Sequence, residues 1–480
     1  MSSPATARIA CATPQFVQEA EPAVLTDWLR YFDSDVIAVT GNSPAPRATS
    51  RLRSKIRNEQ IFHPAGFDPL EGPYVISDVQ FVFAPTVESL RKIPDYEGDE
   101  LDSSNPTFVL SGLLELEIDT TALSTSLAGR EEYVAAFKSE SVEGEYIHVS
   151  TRLPLDYRRE WEGLTVIGAG VDAGQGDTPL ASLDCRDDGT IQTRSMNRSQ
   201  LGLRGVDQVG TKRAKNLRDA GITSRKDIVD ANLGTLSELP GVGRNTAERI
   251  QQSAEATVHD EVVRKSDAQL PTGDPVYIDI ETDGLDPTVT WLIGVLDGTA
   301  AEGHYKAFIQ KDPDESGRTI ENFMAWYTET ANNRPLVAYN GFRFDFEVIH
   351  DHIIQYCPQY EDAWTSTYRF DPYQWAVEEG NAALPGRTNK LEDVASALGY
   401  ERAATELTGA AVARAYQQWM VDQSTSTEPD WEQFKSYCED DVRGLATIYE
   451  ALQESGRISS SGESSPHHPS TTTQGSLSDW

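Results

Sequence analysis

Two acidic side chains, Asp279 and Glu281, sit two residues apart in the run VYIDIETDGL at 276–285. Val, Tyr and Ile around them are strand formers, and alternate side chains of a strand share a face, so both carboxylates point the same way. Carboxylates held side by side repel unless a cation lies between them, and oxygen ligands suit a hard divalent ion. Spacing alone decides little, because Asp95 and Glu97 share it in a stretch that reads as a loop. Downstream, LVAYNGFRFD at 336–345 reads as a short apolar strand followed by a helix start that carries a third carboxylate, Asp345. Further on, Tyr437 and Asp441 are four apart in a helical pattern and share one helical face. Asp440 points elsewhere and reads as a solvent residue, and Cys438 reads as an exposed helix position.

Taken in order, DIETDGL (279–285), NGFRFD (340–345) and YCEDD (437–441) resemble the three motifs of the DEDD exonuclease superfamily, in its tyrosine-containing subgroup. GRTNKLEDVA (386–395), LGYER (398–402) and residues 409–420 resemble the ribonuclease H-like exonuclease domains of bacterial and archaeal proteins that lack a polymerase. The resemblance covers residues 276–453 and implies a ribonuclease H-like mixed sheet flanked by helices, with 3′–5′ exonuclease activity. It further implies two Mg²⁺ or Mn²⁺ ions held by Asp279, Glu281, Asp345 and Asp441, clamping the attacking and leaving oxygens of an in-line displacement. Tyr437 would orient the attacking water. Asn340 and Phe344 would fix the loop of the third carboxylate, while Thr282 and Leu285 would meet the terminal nucleotide. Cys438 stands where that branch often has Asn.

A second constellation lies upstream. LPGVGRNTA at 239–247 has an apolar–Gly–apolar–Gly core followed, after three further residues, by the small Ala247. Paired glycines allow a tight turn and close approach to a phosphate, and the next helix N-terminus offers unpaired N–H groups. VGTKRA at 209–214 repeats the second half of the pattern, with Gln208 where the first glycine would fall. Residues 201–256 resemble the tandem helix-hairpin-helix module of DNA repair and recombination proteins. Gly210, Lys212, Arg213, Gly241, Gly243 and Arg244 are its expected nucleic-acid contacts. Between 205 and 251 there are eight basic and six acidic residues, a local excess of positive charge.

That excess is notable because the 480-residue chain carries 76 acidic against 41 basic side chains, a formal charge of −35. Only 11 of the basic residues are Lys. An acidic, lysine-poor composition resembles that of proteins from salt-accumulating halophiles, where salt screens the repulsion. Such a charge speaks against general nucleic-acid affinity, so binding must come from local features. The longest apolar runs fall well short of a spanning helix, no signal segment opens the chain, and the four cysteines are scattered. These features predict a cytoplasmic protein with no membrane partner.

The elements that must position these residues divide the chain into a multidomain α/β protein. Residues 1–200 read as an α/β or α+β domain without a motif. It has strands near 7–11, 35–41, 74–83, 107–118 and 146–153, a helix over 15–31, and a hairpin over 182–193. Residues 201–256 form the all-α hairpin module, 257–275 a linker, 276–453 the ribonuclease H-like domain, and 454–480 a disordered Ser/Thr-rich tail. The expected function is metal-dependent 3′–5′ exonuclease action on nucleic acid, DNA rather than RNA, in repair or recombination. The alternatives are an RNA-processing exonuclease with the same site, or a non-catalytic DNA-binding adaptor that recruits protein partners through residues 1–200.

Overall fold

The computed structural model describes residues 5–461 except 42, 58–59, 99, 120–123, 139–141, 156, 162, 171–179, 285, 313–314, 404–408 and 425–426. In the N-terminal region the strands are β1 (Thr6–Ala12), β2 (Val36–Val39), β3 (Ile61–Phe62), β4 (Gly72–Ile76), β5 (Val79–Ala84), β6 (Thr107–Ser111), β7 (Glu115–Asp119), β8 (Ser124–Ala128), β9 (Tyr146–Pro154), β10 (Arg158–Trp161), β11 (Leu164–Gly170), β12 (Leu180–Arg186) and β13 (Ile191–Met196). They form two mixed sheets, β13-β12-β1-β2-β3 and β10-β11-β9-β6-β5-β4, with β7 and β8 as a separate hairpin. Alternate residues of both sheets, among them Ile9, Phe62, Phe81, Phe108 and Val149, meet in one core. Helices Pro22–Phe32 and Pro46–Arg53 cover the outside of the first sheet through Leu25, Trp28 and Leu52. Helices Val87–Arg91 and Arg130–Ala136 cover the outside of the second through Leu90 and Tyr133. The result is a four-layer helix–sheet–sheet–helix sandwich.

Three local expectations change here, each for a backbone reason. The helix expected over 15–31 is two, Pro14–Glu19 and Pro22–Phe32, because Pro22 has no N–H to continue the first and suits the start of the second. The strand expected over 74–83 is the β4–β5 hairpin, turning at Ser77 and Asp78, both left-handed at φ 50° and 65°. The strand expected over 107–118 ends at Ser111, where a side chain on Gly112 would run into Pro64.

Helices Thr211–Asp219, Arg225–Asp230, Leu233–Ser237 and Arg244–His259 build the hairpin module around Leu217, Ile228, Leu236, Ala247 and Ile250. The expected linker carries a short strand. β14 (Val263–Arg264) pairs with β20 (Ala382–Ala383), and the Arg264 guanidinium lies 4.6 Å over the Trp375 ring.

The third region carries a five-stranded sheet, β17-β16-β15-β18-β19. β15 (Val276–Thr282), β16 (Thr290–Asp297) and β17 (His304–Ile309) are antiparallel neighbours, whereas β18 (Leu336–Val337) and β19 (Arg369–Phe370) run parallel to β15. Val276, Ile278 and Ile280 face helices Arg318–Trp326 and Asp345–Tyr356. Tyr277, on the other face, packs with Val442, Leu445 and Tyr449 of the long helix Trp431–Ser461. That helix continues to Ser461, into the stretch expected to be disordered; residues 462–480 lie outside the described ones.

One carboxylate joins all three regions. Asp27, on helix Pro22–Phe32, accepts from the Gly202 backbone N–H at 2.8 Å, from Arg225 Nη1, and from Arg387 Nη2 at 2.7 Å. Tyr31, one turn on, donates to Asp393 at 2.7 Å. Arg387 and Asp393 belong to the GRTNKLEDVA run, so part of that run docks the N-terminal domain.

Candidate active site

β15 ends in a bulge: Glu281 lies opposite Leu292, but Thr282 opposite Thr290. Bulges re-aim side chains at strand ends. Asp279 and Glu281 project from the face covered by the Trp431–Ser461 helix, and with Cys438 of that helix they offer ligand atoms within 4.8 Å of one another. Glu281 is 7% exposed and accepts no hydrogen bond among the described residues. Asp345 opens its helix, equally buried, where the positive end of the helix dipole faces it. Asp441 comes from the turn of the long helix after Cys438 and binds Arg402 Nη1 through Oδ1 at 2.7 Å.

Burial is the first cause that raises all four carboxylates, and the charges of their neighbours add to it. Burial, and then the charges of Asp441, Glu281 and Asp345, push Asp279 well above the usual carboxylate range. Glu281 is raised in the same way, by burial and then by Asp441 and Asp345. Asp345 is raised to about 7, chiefly by burial. Asp441 reaches only about 6, because the Arg402 guanidinium pulls against burial. Buried, mutually repelling oxygens with one member unbonded are a donor set that fits hard divalent cations.

Tyr437 lies over this cluster. Burial and the nearby Asp441 and Glu281 raise its phenol, so the hydroxyl stays protonated and can donate. A Cβ on Gly409, the first residue of helix Gly409–Val421, would lie 3.8 Å from that hydroxyl. The loop of the third carboxylate is held by a residue missed in the sequence, Asp371. It accepts from the Asn340 backbone N–H at 2.9 Å, Tyr373 N–H at 2.9 Å and Gln374 N–H at 3.2 Å. Asn340 takes a left-handed backbone, φ 58°, with its Oδ1 buried and unpartnered among the described residues. Phe344 packs into the core beneath. The Thr282 hydroxyl donates to the Gly284 carbonyl at 2.8 Å, and Leu285 lies outside the described residues.

Two expectations on the long helix are corrected. Cys438 is fully buried, and its thiol reaches Asp279 Oδ2 at 3.6 Å and the Asp279 carbonyl at 3.8 Å. Burial and the acidic neighbours keep it protonated, a weak donor to the Asp279 carboxylate. A Cβ on Gly294 of β16 would overlap its sulfur, so the adjoining strand is cut to fit it. Asp440 is 3% exposed and accepts from the Tyr400 hydroxyl at 2.8 Å and the Ala403 N–H at 3.0 Å. The helix is covered on that side by LGYER, which helical periodicity alone could not reveal.

In the hairpin module, helices Thr211–Asp219 and Arg244–His259 both start after an extended glycine, Gly210 and Gly243, with no side-chain cap. Their first N–H groups are therefore left for another acceptor. A Cβ at either glycine would meet open space. Gln208 takes φ 65°, close to the 77° of Gly241, so the first copy keeps the hairpin geometry despite lacking the glycine. Arg213 donates to the Gln208 and Gly241 carbonyls, at 2.6 and 3.1 Å, and so ties the two hairpins together instead of reaching outward. Arg244 is exposed and pairs with Glu248 at 3.1 Å, and Lys212 is exposed.

Residues 276–453 match the model of the RNase_H superfamily. Residues 201–256 match the SAM-like helix-hairpin-helix tandem. Among solved structures, E. coli exonuclease I bound to a dA16 oligonucleotide is 18% identical over 32% of this chain and 42% of that chain, with a TM-score of 0.21. Exonuclease I bound to a dT13 oligonucleotide gives 15% over 40% and 43%, with a TM-score of 0.23. This chain thus spans less than half the length of either. No curated protein matches.

Proposed function

We propose that this protein is a divalent-metal-dependent 3′–5′ exonuclease of the tyrosine-containing DEDD type, acting on DNA held by the hairpin module. The observation that carries the reading is the convergence of Asp279 and Glu281 from the central strand β15 with Asp345 and Asp441 from two helices, beside the protonated Tyr437. Bound Mg²⁺ or Mn²⁺, two ions in the expected arrangement, supplies the charge that lets a phosphodiester accept a nucleophile. Asp279, Glu281, Asp345 and Asp441 would hold the cations. The Tyr437 hydroxyl donates to the attacking water and fixes its direction. The Cys438 thiol and the Arg402 guanidinium hold Asp279 and Asp441 by hydrogen bonds, as outer partners of metal ligands commonly do.

The choice of DNA rests on the likeness of the hairpin module to that of DNA repair and recombination proteins; its uncapped helix ends suit the phosphates of either nucleic acid without reading sequence. The intact acidic cluster speaks against a purely non-catalytic adaptor. The test is a degradation assay on single-stranded and duplex DNA and RNA, each labelled at either end, at low and high salt. A 5′ label should shorten one nucleotide at a time, and a 3′ label should be released at once as a mononucleotide. Binding without hydrolysis would favour the adaptor, and degradation of RNA alone would favour RNA processing.

A further inference from the structure

Arg402 lies outside the three carboxylate motifs, at the end of LGYER, and it is the one cation on the cluster among the described residues. Its Nη1 donates to Asp441 Oδ1 at 2.7 Å, with both side chains 15% exposed. Its guanidinium carbon lies 5.1 Å from the centre of the Tyr437 ring. Nη2 is buried with no partner among the described residues, so the guanidinium is not anchored by a second acceptor elsewhere in the fold. Asp441 and Tyr437 lie one turn apart on the same helix, and Arg402 reaches both from a different segment, LGYER.

We propose that Arg402 is a positioning residue that acts through Asp441 and Tyr437. By holding Oδ1, it fixes the carboxylate plane and leaves Oδ2 toward the cluster. By lying over the phenol ring, it fixes where the hydroxyl points. Lysine could replace the point charge on Asp441 but offers no planar group to stack on the ring. The two actions can therefore be separated.

This inference rests on the metal-dependent nuclease reading, and the experiment separates the two. Mn²⁺ affinity is measured by calorimetry on the full chain, with turnover of a short oligonucleotide at saturating Mn²⁺ and a thermal melt as controls. Arg402→Gln should weaken Mn²⁺ binding by about 10–100-fold, the usual effect of removing an outer partner of a ligand. Arg402→Lys should keep most of that affinity but lose turnover, and Arg402→Lys combined with Tyr437→Phe should be no slower than Tyr437→Phe alone. Mn²⁺ binding by Arg402→Gln as tight as the parent's, or tighter, would overturn the proposal, since a guanidinium that only competes with the cation gives that result. If Arg402→Gln does not fold, the lysine variant decides: losses that add to those of Tyr437→Phe would overturn it. A parent that binds no divalent cation would remove the nuclease reading itself.

Discussion

Asp440 and Asp441 are chain neighbours with different surroundings, and substitution should separate them. Asp441→Asn removes a charge where the transition state needs it and should leave almost no hydrolysis. Tyr437→Phe removes one orienting hydrogen bond and should leave activity reduced by about 10²–10³-fold, with unchanged metal dependence. Asp440→Ala should keep the metal site but lose about 1–3 kcal/mol of stability, because the Tyr400 hydroxyl and Ala403 N–H lose their acceptor. A dead but stable Asp440→Ala beside an active Asp441→Asn, in parallel melts and turnover assays, would show that the two roles are reversed. The pH dependence belongs to the same scale. Asp345 is raised from 3.8 to about 7 and Asp441 from 3.8 to about 6, so the folded, metal-free protein binds more protons than the unfolded chain between those limits. The stability contribution of these groups must therefore fall as pH rises through about 4 to 7. Asp345→Asn should flatten that fall and make the metal-free protein more stable than the parent at pH 8, as read by melts in chelator. A parent that gains stability relative to Asp345→Asn over this range would contradict the sign.

Among the elements, the hairpins give the clearest test. Gly243→Ala and Gly210→Ala place a methyl group in open space on extended backbone, so folding should be unaffected. Each should nonetheless weaken binding of long duplex DNA while leaving cleavage of very short oligonucleotides near the parent rate. Equal loss on both substrates would mean that the hairpins support the fold instead. Gly241 is a poorer probe, because its φ of 77° would strain any side chain. What was legible in the sequence follows the same line. Carboxylates on a period-two strand and a period-3.6 helix could be placed by spacing, and glycine pairs announced their turns. Cys438, Asp440, Arg402 and Asp371 could not be placed, because their roles depend on segments distant in sequence that fold over them. The hairpin at Ser77-Asp78 is hidden because neither turn residue is glycine, and the helix break at Pro22 lies inside a run whose other residues all suit a helix.

At the scale of the whole molecule, Asp27 carries the junction between the sandwich, the hairpins and the C-terminal α/β region. Arg225 is 6% exposed, and burial already lowers its guanidinium to about 10 against the pull of Asp27. Asp27→Ala would leave that charge buried without its carboxylate, a change of about 3–5 kcal/mol for a broken buried pair. Calorimetry should show a lower transition that splits, as the N-terminal domain uncouples from the rest; a single unshifted transition would mean that the junction contributes nothing. The most direct test of the whole account is hydrolysis of an end-labelled DNA strand by the full chain in chelator, then after adding Mg²⁺ or Mn²⁺, with Asp279→Ala alongside. The account predicts no products in chelator, stepwise shortening once the cation is added, and an Asp279→Ala protein that binds DNA but does not cut it. Cleavage that persists in chelator, or in Asp279→Ala with either cation, would contradict it.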